Sequence, residues 1–100
     1  MGDVSKEYLD DVRLRVRNTL THFDGEITGL INAARADLIL GGILPAKAED
    51  ETDALIKQAI VTYCKAVFGL DNPEAEKYRA SYQLQRSALK LSSGYIGAEV

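Results

Sequence analysis

The sequence of 100 residues contains only one cysteine and one histidine. A single cysteine, Cys64, cannot form a disulfide within the chain, which is typical of proteins from a reducing compartment. A catalytic thiol also needs a base and an electropositive pocket, so we expect Cys64 to be a buried apolar side chain. His22 has no cysteine or second histidine near it in the sequence. It is therefore a poor metal ligand, and we expect it in a loop or a helix cap.

Positive charge and long apolar segments are also scarce. The chain carries 12 lysines and arginines against 15 aspartates and glutamates, which gives a net charge of -3. A dedicated DNA-binding domain usually has a basic excess, so the composition does not favour one. No apolar run approaches the roughly 20 residues that span a bilayer, and the N-terminal sequence "MGDVSKEYLDDV" lacks the apolar core of a secretory signal. We therefore expect no membrane partner.

Motifs that hold cofactors or perform catalysis are missing as well. The sequence contains no phosphate-binding glycine loop, no nucleophile elbow and no zinc-binding pattern. The acidic cluster of Glu49, Asp50, Glu51 and Asp53 lacks the glycine and the ligand spacing of a calcium-binding loop. Carboxylates are favoured at helix N-termini, which explains this cluster without a metal ion. The sequence therefore predicts no catalytic residue, no metal site and no cofactor, and so a protein that is not an enzyme.

Apolar residues at helical spacing dominate the rest of the sequence. Four segments show this spacing, and no strand-like alternation competes with them. They span about residues 6–18, 24–40, 50 or 52 to 68, and 73–91. Ser5 or Asp3 can cap the first helix by accepting a backbone hydrogen bond. The second segment has apolar residues on two sides, which is typical of a central helix.

Glycine and proline mark the ends of these segments. Gly41 and Gly42 should end the second helix, because glycine adopts the left-handed conformation without penalty. The following "ILPAKAED" is expected to be a loop, and the residues after Leu91 an extended tail. The predicted fold is all-α, a small bundle of four helices with short loops. Residues 1–91 form the helical domain and residues 92–100 the C-terminal tail.

The stretch "FGLDNPEAEKY" separates the third and fourth segments by only a few residues. Gly69 is the expected stop of the third helix. Asp71 or Asn72 can cap the fourth helix, and Pro73 fits its first turn. These four residues therefore predict a tight structural corner between the two helices.

The fourth helix carries candidate binding residues on one face and aromatic residues on another. Arg79, Arg86 and Lys90 share a face that can contact an acidic partner, nucleic acid or a channel, although a solvated helix face is the more ordinary interpretation. Tyr78 and Tyr82 are spaced to lie on the core side of the same helix, which we favour over a role as interface anchors.

The C-terminal tail contains an apolar pair, Tyr95 and Ile96, between two glycines. A tyrosine gives a large contact area at low entropy cost, and glycines permit an extended backbone that can dock on a partner. The alternative is a frayed chain end without a role, which is equally common for a terminus. Our hypothesis is that Tyr95 and Ile96 anchor the protein to a partner.

The ordered set of segments resembles the small head–tail connector (adaptor) proteins of tailed bacteriophages and prophages. The matching pieces, in order, are "FDGEITGLINAARADLILGGI", "TDALIKQAIVTYCKAVFG", "DNPEAEKYRASYQLQ" and "ALKLSSGY". They cover most of the chain from Phe23 to Tyr95. None of them is a catalytic motif, so the resemblance lies in the overall pattern.

The resemblance implies a structural protein of the virion. Members of this family assemble as a ring of about twelve copies beneath the portal. The ring extends the DNA channel and presents a platform to a neck or tail-completion protein. The partners implied for this chain are the portal protein, a neck or tail-completion protein and further copies of itself, with DNA passing through without specific binding. The implied location is the neck of the virion, after assembly in the host cytoplasm.

The alternative from another class is a small helical DNA-binding or regulatory domain. A tight corner before a basic-faced helix is also found in the helix-turn-helix motif. The predicted helices are long for that motif, however. Pro73 and two glutamates open the second of them, where they would face DNA phosphates unfavourably.

Overall fold

The computed structural model describes residues 3–16, 24–68 and 73–97. These residues form six helices and no strand, which confirms the all-α prediction. Four of the helices have ten residues or more, and the other two are single turns of four residues. In chain order they are α1 Lys6–Arg15, α2 Asp24–Leu40, α3 Pro45–Ala48, α4 Ala54–Val67, α5 Ala75–Lys90 and α6 Ser93–Ile96.

Helix α1 begins as the sequence predicts. The side chain of Ser5 accepts a hydrogen bond from the backbone N–H of Tyr8, which caps the helix. The helix ends at Arg15, earlier than the predicted residue 18, and residues 17 and 18 lie outside the described part of the chain. Only Tyr8 and Val12 of this helix are buried. Helix α1 is therefore held to the rest of the bundle by a narrow apolar contact.

Helix α2 has the predicted bounds and ends at the predicted glycine pair, where Gly42 has a φ of 109°. One of its two apolar sides is buried in the core through Ile27, Ile31 and Leu38. The second side is not covered, and Leu40 on it is 87% exposed. The central position that two apolar sides predicted for α2 is occupied by α4 instead. The second side of α2 consists mainly of glycine and alanine, which bury little area.

The segment predicted as a loop after α2 contains the short helix α3. Pro45 is at its first position, where the fixed φ of proline suits a helix and its missing N–H costs nothing. Leu44 before it has a ψ of 136° and so lies outside the helical region, which proline disfavours for the residue that precedes it. Asp53 then caps α4, since its Oδ1 accepts hydrogen bonds from the N–H groups of Leu55 and Ile56 at 3.0 Å each. One member of the acidic cluster thus has the helix-capping role that the sequence indicated.

The core lies between α2, α4 and α5, with α4 in the middle. The fully buried residues of α4 include Ile56, Ile60 and Cys64, which confirms the predicted burial of the cysteine. Burying each such isoleucine contributes about 1.5–3 kcal/mol. Helix α5 adds Tyr82, whose ring packs edge-to-face on Tyr63 at a centroid distance of 5.2 Å. Tyr82 is therefore a core residue, as predicted, and Tyr78 is half-buried.

The predicted corner is described only in part. Gly69, Asp71 and Asn72 lie outside the described residues, as does His22. Pro73 lies in the turn that precedes α5. The helix begins at Ala75, two residues later than predicted. Glu74 is in the N-cap position, but its side chain accepts no capping hydrogen bond.

The sequence predicted an extended C-terminal tail, and the structure corrects this prediction for the residues up to 97. Ser93–Ile96 form helix α6, which ends at Gly97 with a φ of 64°. Tyr95 and Ile96 are half-buried and pack against the core. The N–H of Leu44 donates a hydrogen bond of 2.7 Å to the carbonyl oxygen of Tyr95. We call residues 92–97 the C-terminal hook, because this segment folds back onto the helical domain.

Candidate functional site

A buried polar cluster joins α1 to the rest of the bundle. Arg35 of α2 is only 1% exposed, and its Nη2 donates to Glu51 Oε2 at 3.3 Å. The same carboxylate accepts hydrogen bonds from the N–H of Ser5 at 2.9 Å and from its hydroxyl at 2.6 Å. The Arg35 guanidinium also lies 5.6 Å from the ring centroid of Tyr8. We call Ser5, Tyr8, Arg35 and Glu51 the N-terminal clamp, since together they fix the start of α1.

The electrostatics of the clamp follow from its burial and its hydrogen bonds. Partial burial raises the pKa of Glu51, but the hydrogen bonds from Ser5 and the Arg35 guanidinium outweigh this effect, so the net shift is downward. Burial raises the pKa of the Tyr8 hydroxyl to about 12. At neutral pH the clamp therefore contains a charged carboxylate and a neutral tyrosine.

Two further ion pairs hold α1 in place. Lys57 Nζ of α4 lies 2.8 Å from Asp11 Oδ2 and 5.1 Å from the ring centroid of Tyr8. Arg13 Nε lies 3.2 Å from Asp24 Oδ1 at the start of α2. The hydrogen bond from Lys57, followed by that from Arg15, lowers the pKa of Asp11. Charged contacts therefore add to the small apolar contact of this helix.

A second polar cluster joins α2 to α5. The hydroxyl of Tyr82 donates a hydrogen bond to Asp37 Oδ2, and Arg86 Nη1 donates to the same oxygen at 3.1 Å. Burial, followed by the hydrogen bond to Asp37, raises the pKa of Tyr82. The carboxylate thus positions both an aromatic core residue and a basic side chain of α5.

This second polar cluster includes Arg86, one of the three residues of the predicted basic face of α5. Arg86 is directed at Asp37, and only a quarter of its side chain is exposed. Arg79 is exposed but lies 2.9 Å from Glu76. Lys90 is exposed at the last position of the helix. Two of the three residues of the predicted basic face therefore contact carboxylates of their own chain.

The C-terminal hook is held by Tyr95. Its hydroxyl donates a hydrogen bond of 2.8 Å to Asp53 Oδ2, the carboxylate that also caps α4. This hydrogen bond, followed by burial, raises the pKa of Tyr95. Lys47 Nζ of α3 lies 5.7 Å from the ring centroid. A side chain added at Gly97 would place its Cβ 3.0 Å from Leu44 Cδ2 and would also be strained by the φ of 64°.

The placement of Tyr95 bears on its predicted role as an anchor. Its hydroxyl and its carbonyl oxygen both bond within the chain, so the residue shapes the hook. Beside it runs a groove of about 230 Å³ between α4 and α5, lined mainly by apolar atoms of Leu55, Ala88, Leu89 and Tyr95. The half-buried Ile96 belongs to the same turn. The hook therefore presents a folded surface rather than a free strand.

Large apolar side chains also lie on the outside of the helices. Leu14 of α1, Leu40 of α2, Leu84 of α5 and Leu91, which follows α5, are each more than 60% exposed. Single exposed leucines are ordinary on a protein surface, and it is contiguous apolar patches that mark contacts with other proteins.

The contacts that form the two polar clusters were not predicted from the sequence, although one signal was present. Arg35 lies four residues after Ile31 and three before Leu38, so it occupies the buried side of α2. A charged residue at that spacing requires a buried partner. The partner itself, Glu51, belongs to the acidic cluster that was interpreted only as a helix N-terminus.

Neither a metal site nor a reactive thiol is found in residues 3–16, 24–68 and 73–97. Within these ranges no group of three or more histidine, cysteine, aspartate or glutamate side chains is placed to hold a metal ion. Burial raises the pKa of Cys64 to about 12, so the thiol is protonated and unreactive at neutral pH. No helix among the described residues is long and apolar enough to cross a membrane.

Comparison with known proteins identifies a family. Residues 9–96 match the sequence model of the family described as phage connector protein. No curated protein and no solved structure matches the chain. The matched range includes both partners of the Arg35–Glu51 pair and of the Tyr95–Asp53 pair. The family description points to a structural component of the virion that contacts other head or tail proteins, not to an enzyme. The match covers well over half of the sequence, and the chain therefore belongs to the phage connector protein family.

Proposed function

We propose that the protein is a head–tail connector of the adaptor type. Copies of the chain form a ring under the portal, extend the DNA channel and join the head to the neck or tail. The observation that carries this proposal is the family match over residues 9–96. The exposed leucines on several helices support it, because a ring subunit must contact two neighbouring copies and at least one other protein.

Assembly as a ring of about twelve copies fits the physical properties of the subunit. A domain of 100 residues buries only about two-thirds of the surface of its unfolded chain. The exposed leucines of α1 and α5 leave apolar area that further copies can bury. Contacts between copies would therefore add stability that a single chain lacks.

Passage of DNA without specific binding agrees with the charges. The chain has a net charge of -3, and Arg86 and Arg79 contact Asp37 and Glu76. Tight binding to phosphates depends on several lysines or arginines that are available to neutralise them. The face of Arg79, Arg86 and Lys90 would thus meet a channel or a partner without holding DNA in place.

The C-terminal hook is our candidate for the contact with the portal protein, and the opposite end of the ring would meet a neck or tail-completion protein. Tyr95 fixes the shape of the hook through Asp53. Ile96, which is half-exposed, would supply the apolar contact. Such a ring would lie in the neck of the virion, after assembly in the host cytoplasm.

The proposal is tested by joining heads and tails in vitro. Portal-bearing heads that lack this protein are mixed with purified protein and then with tails, and joined particles are counted by electron microscopy. We expect joining to require the protein and to be reduced by Ile96→Ser, while the matched variant Leu40→Ser joins normally. Circular dichroism checks that both variants fold. Heads that join tails equally well without the protein would contradict the proposed function.

A further inference from the structure

We draw no further inference here: the strongest candidate, the apolar groove of about 230 Å³ that lies between α4 and α5 beside the C-terminal hook, carries none, because nothing in the described part of the chain shows what covers it.

Discussion

Replacing Glu51 with glutamine removes the negative charge of the N-terminal clamp and preserves the size of the side chain. Glu51 accepts two hydrogen bonds from Ser5 and one from Arg35. An amide has one accepting oxygen, so part of this set is lost and the buried guanidinium loses its charged partner. Breaking a fully buried ion pair costs about 3–5 kcal/mol. Because the Glu51 side chain is 26% exposed, water screens part of the charge, and we expect a loss of about 2 kcal/mol.

Urea denaturation at neutral pH, followed by circular dichroism, measures this loss of unfolding free energy. For a domain of this size, 1 kcal/mol shifts the melting temperature by about 4–8 °C, so about 2 kcal/mol corresponds to roughly 8–16 °C. Glu26→Gln is the matched control, since Glu26 is an exposed glutamate in the first turn of α2. It should change the unfolding free energy by no more than about 0.5 kcal/mol.

The loss of unfolding free energy caused by Glu51→Gln should also become smaller as the pH falls. The hydrogen bonds from Ser5 and Arg35 hold the pKa of Glu51 below its ordinary value of 4.5, although burial alone raises it. A carboxyl group with a lowered pKa stabilises the fold above its ordinary pKa, and this contribution disappears as the pH falls through the lowered pKa. The difference between wild type and Glu51→Gln should therefore be complete at pH 7 and shrink below pH 4.5. A difference that stays constant into acid, or its absence at pH 7, would refute the reasoning.

Two further predictions concern the C-terminal hook and the core. Tyr95→Phe removes the hydrogen bond to Asp53 and should lower the unfolding free energy by about 0.5–1.5 kcal/mol, measured by urea denaturation. An unchanged value would show that the hydrogen bond from Tyr95 to Asp53 does not contribute to the stability of the bundle. Cys64 should resist thiol labelling in the native protein at pH 8 and react readily in denaturant, because it is fully buried and its pKa is raised to about 12. Equal labelling rates in the two states would contradict its burial.

Helix positions could be predicted from the sequence where local interactions determine them. The hydroxyl of Ser5 caps α1 from within the same turn, and the glycine pair after Leu40 ends α2. Apolar spacing also placed Cys64 and Tyr82 in the core correctly. In each of these cases the residues that decide the structure are neighbours in the sequence.

The short helices and the polar clusters could not be predicted, because they depend on residues far apart in the sequence. The hydrogen bond from Tyr95 to Asp53 spans 42 residues, and the bond from Arg86 to Asp37 spans 49. Helical spacing shows which side chains share a face, but it does not show what that face meets. Arg86 was therefore assigned to a basic face, although its main partner is a carboxylate of α2.

The position of the chain in the virion tests the central claim most directly. A reconstruction of the neck by cryo-electron microscopy, with the subunit identified by fitting α2, α4 and α5 into the density, would show where the copies lie. The account predicts a closed ring of this chain directly beneath the portal, surrounding the DNA channel and contacting the next neck or tail protein. Density for the chain elsewhere in the particle, or a neck that contains no copy of it, would contradict the account.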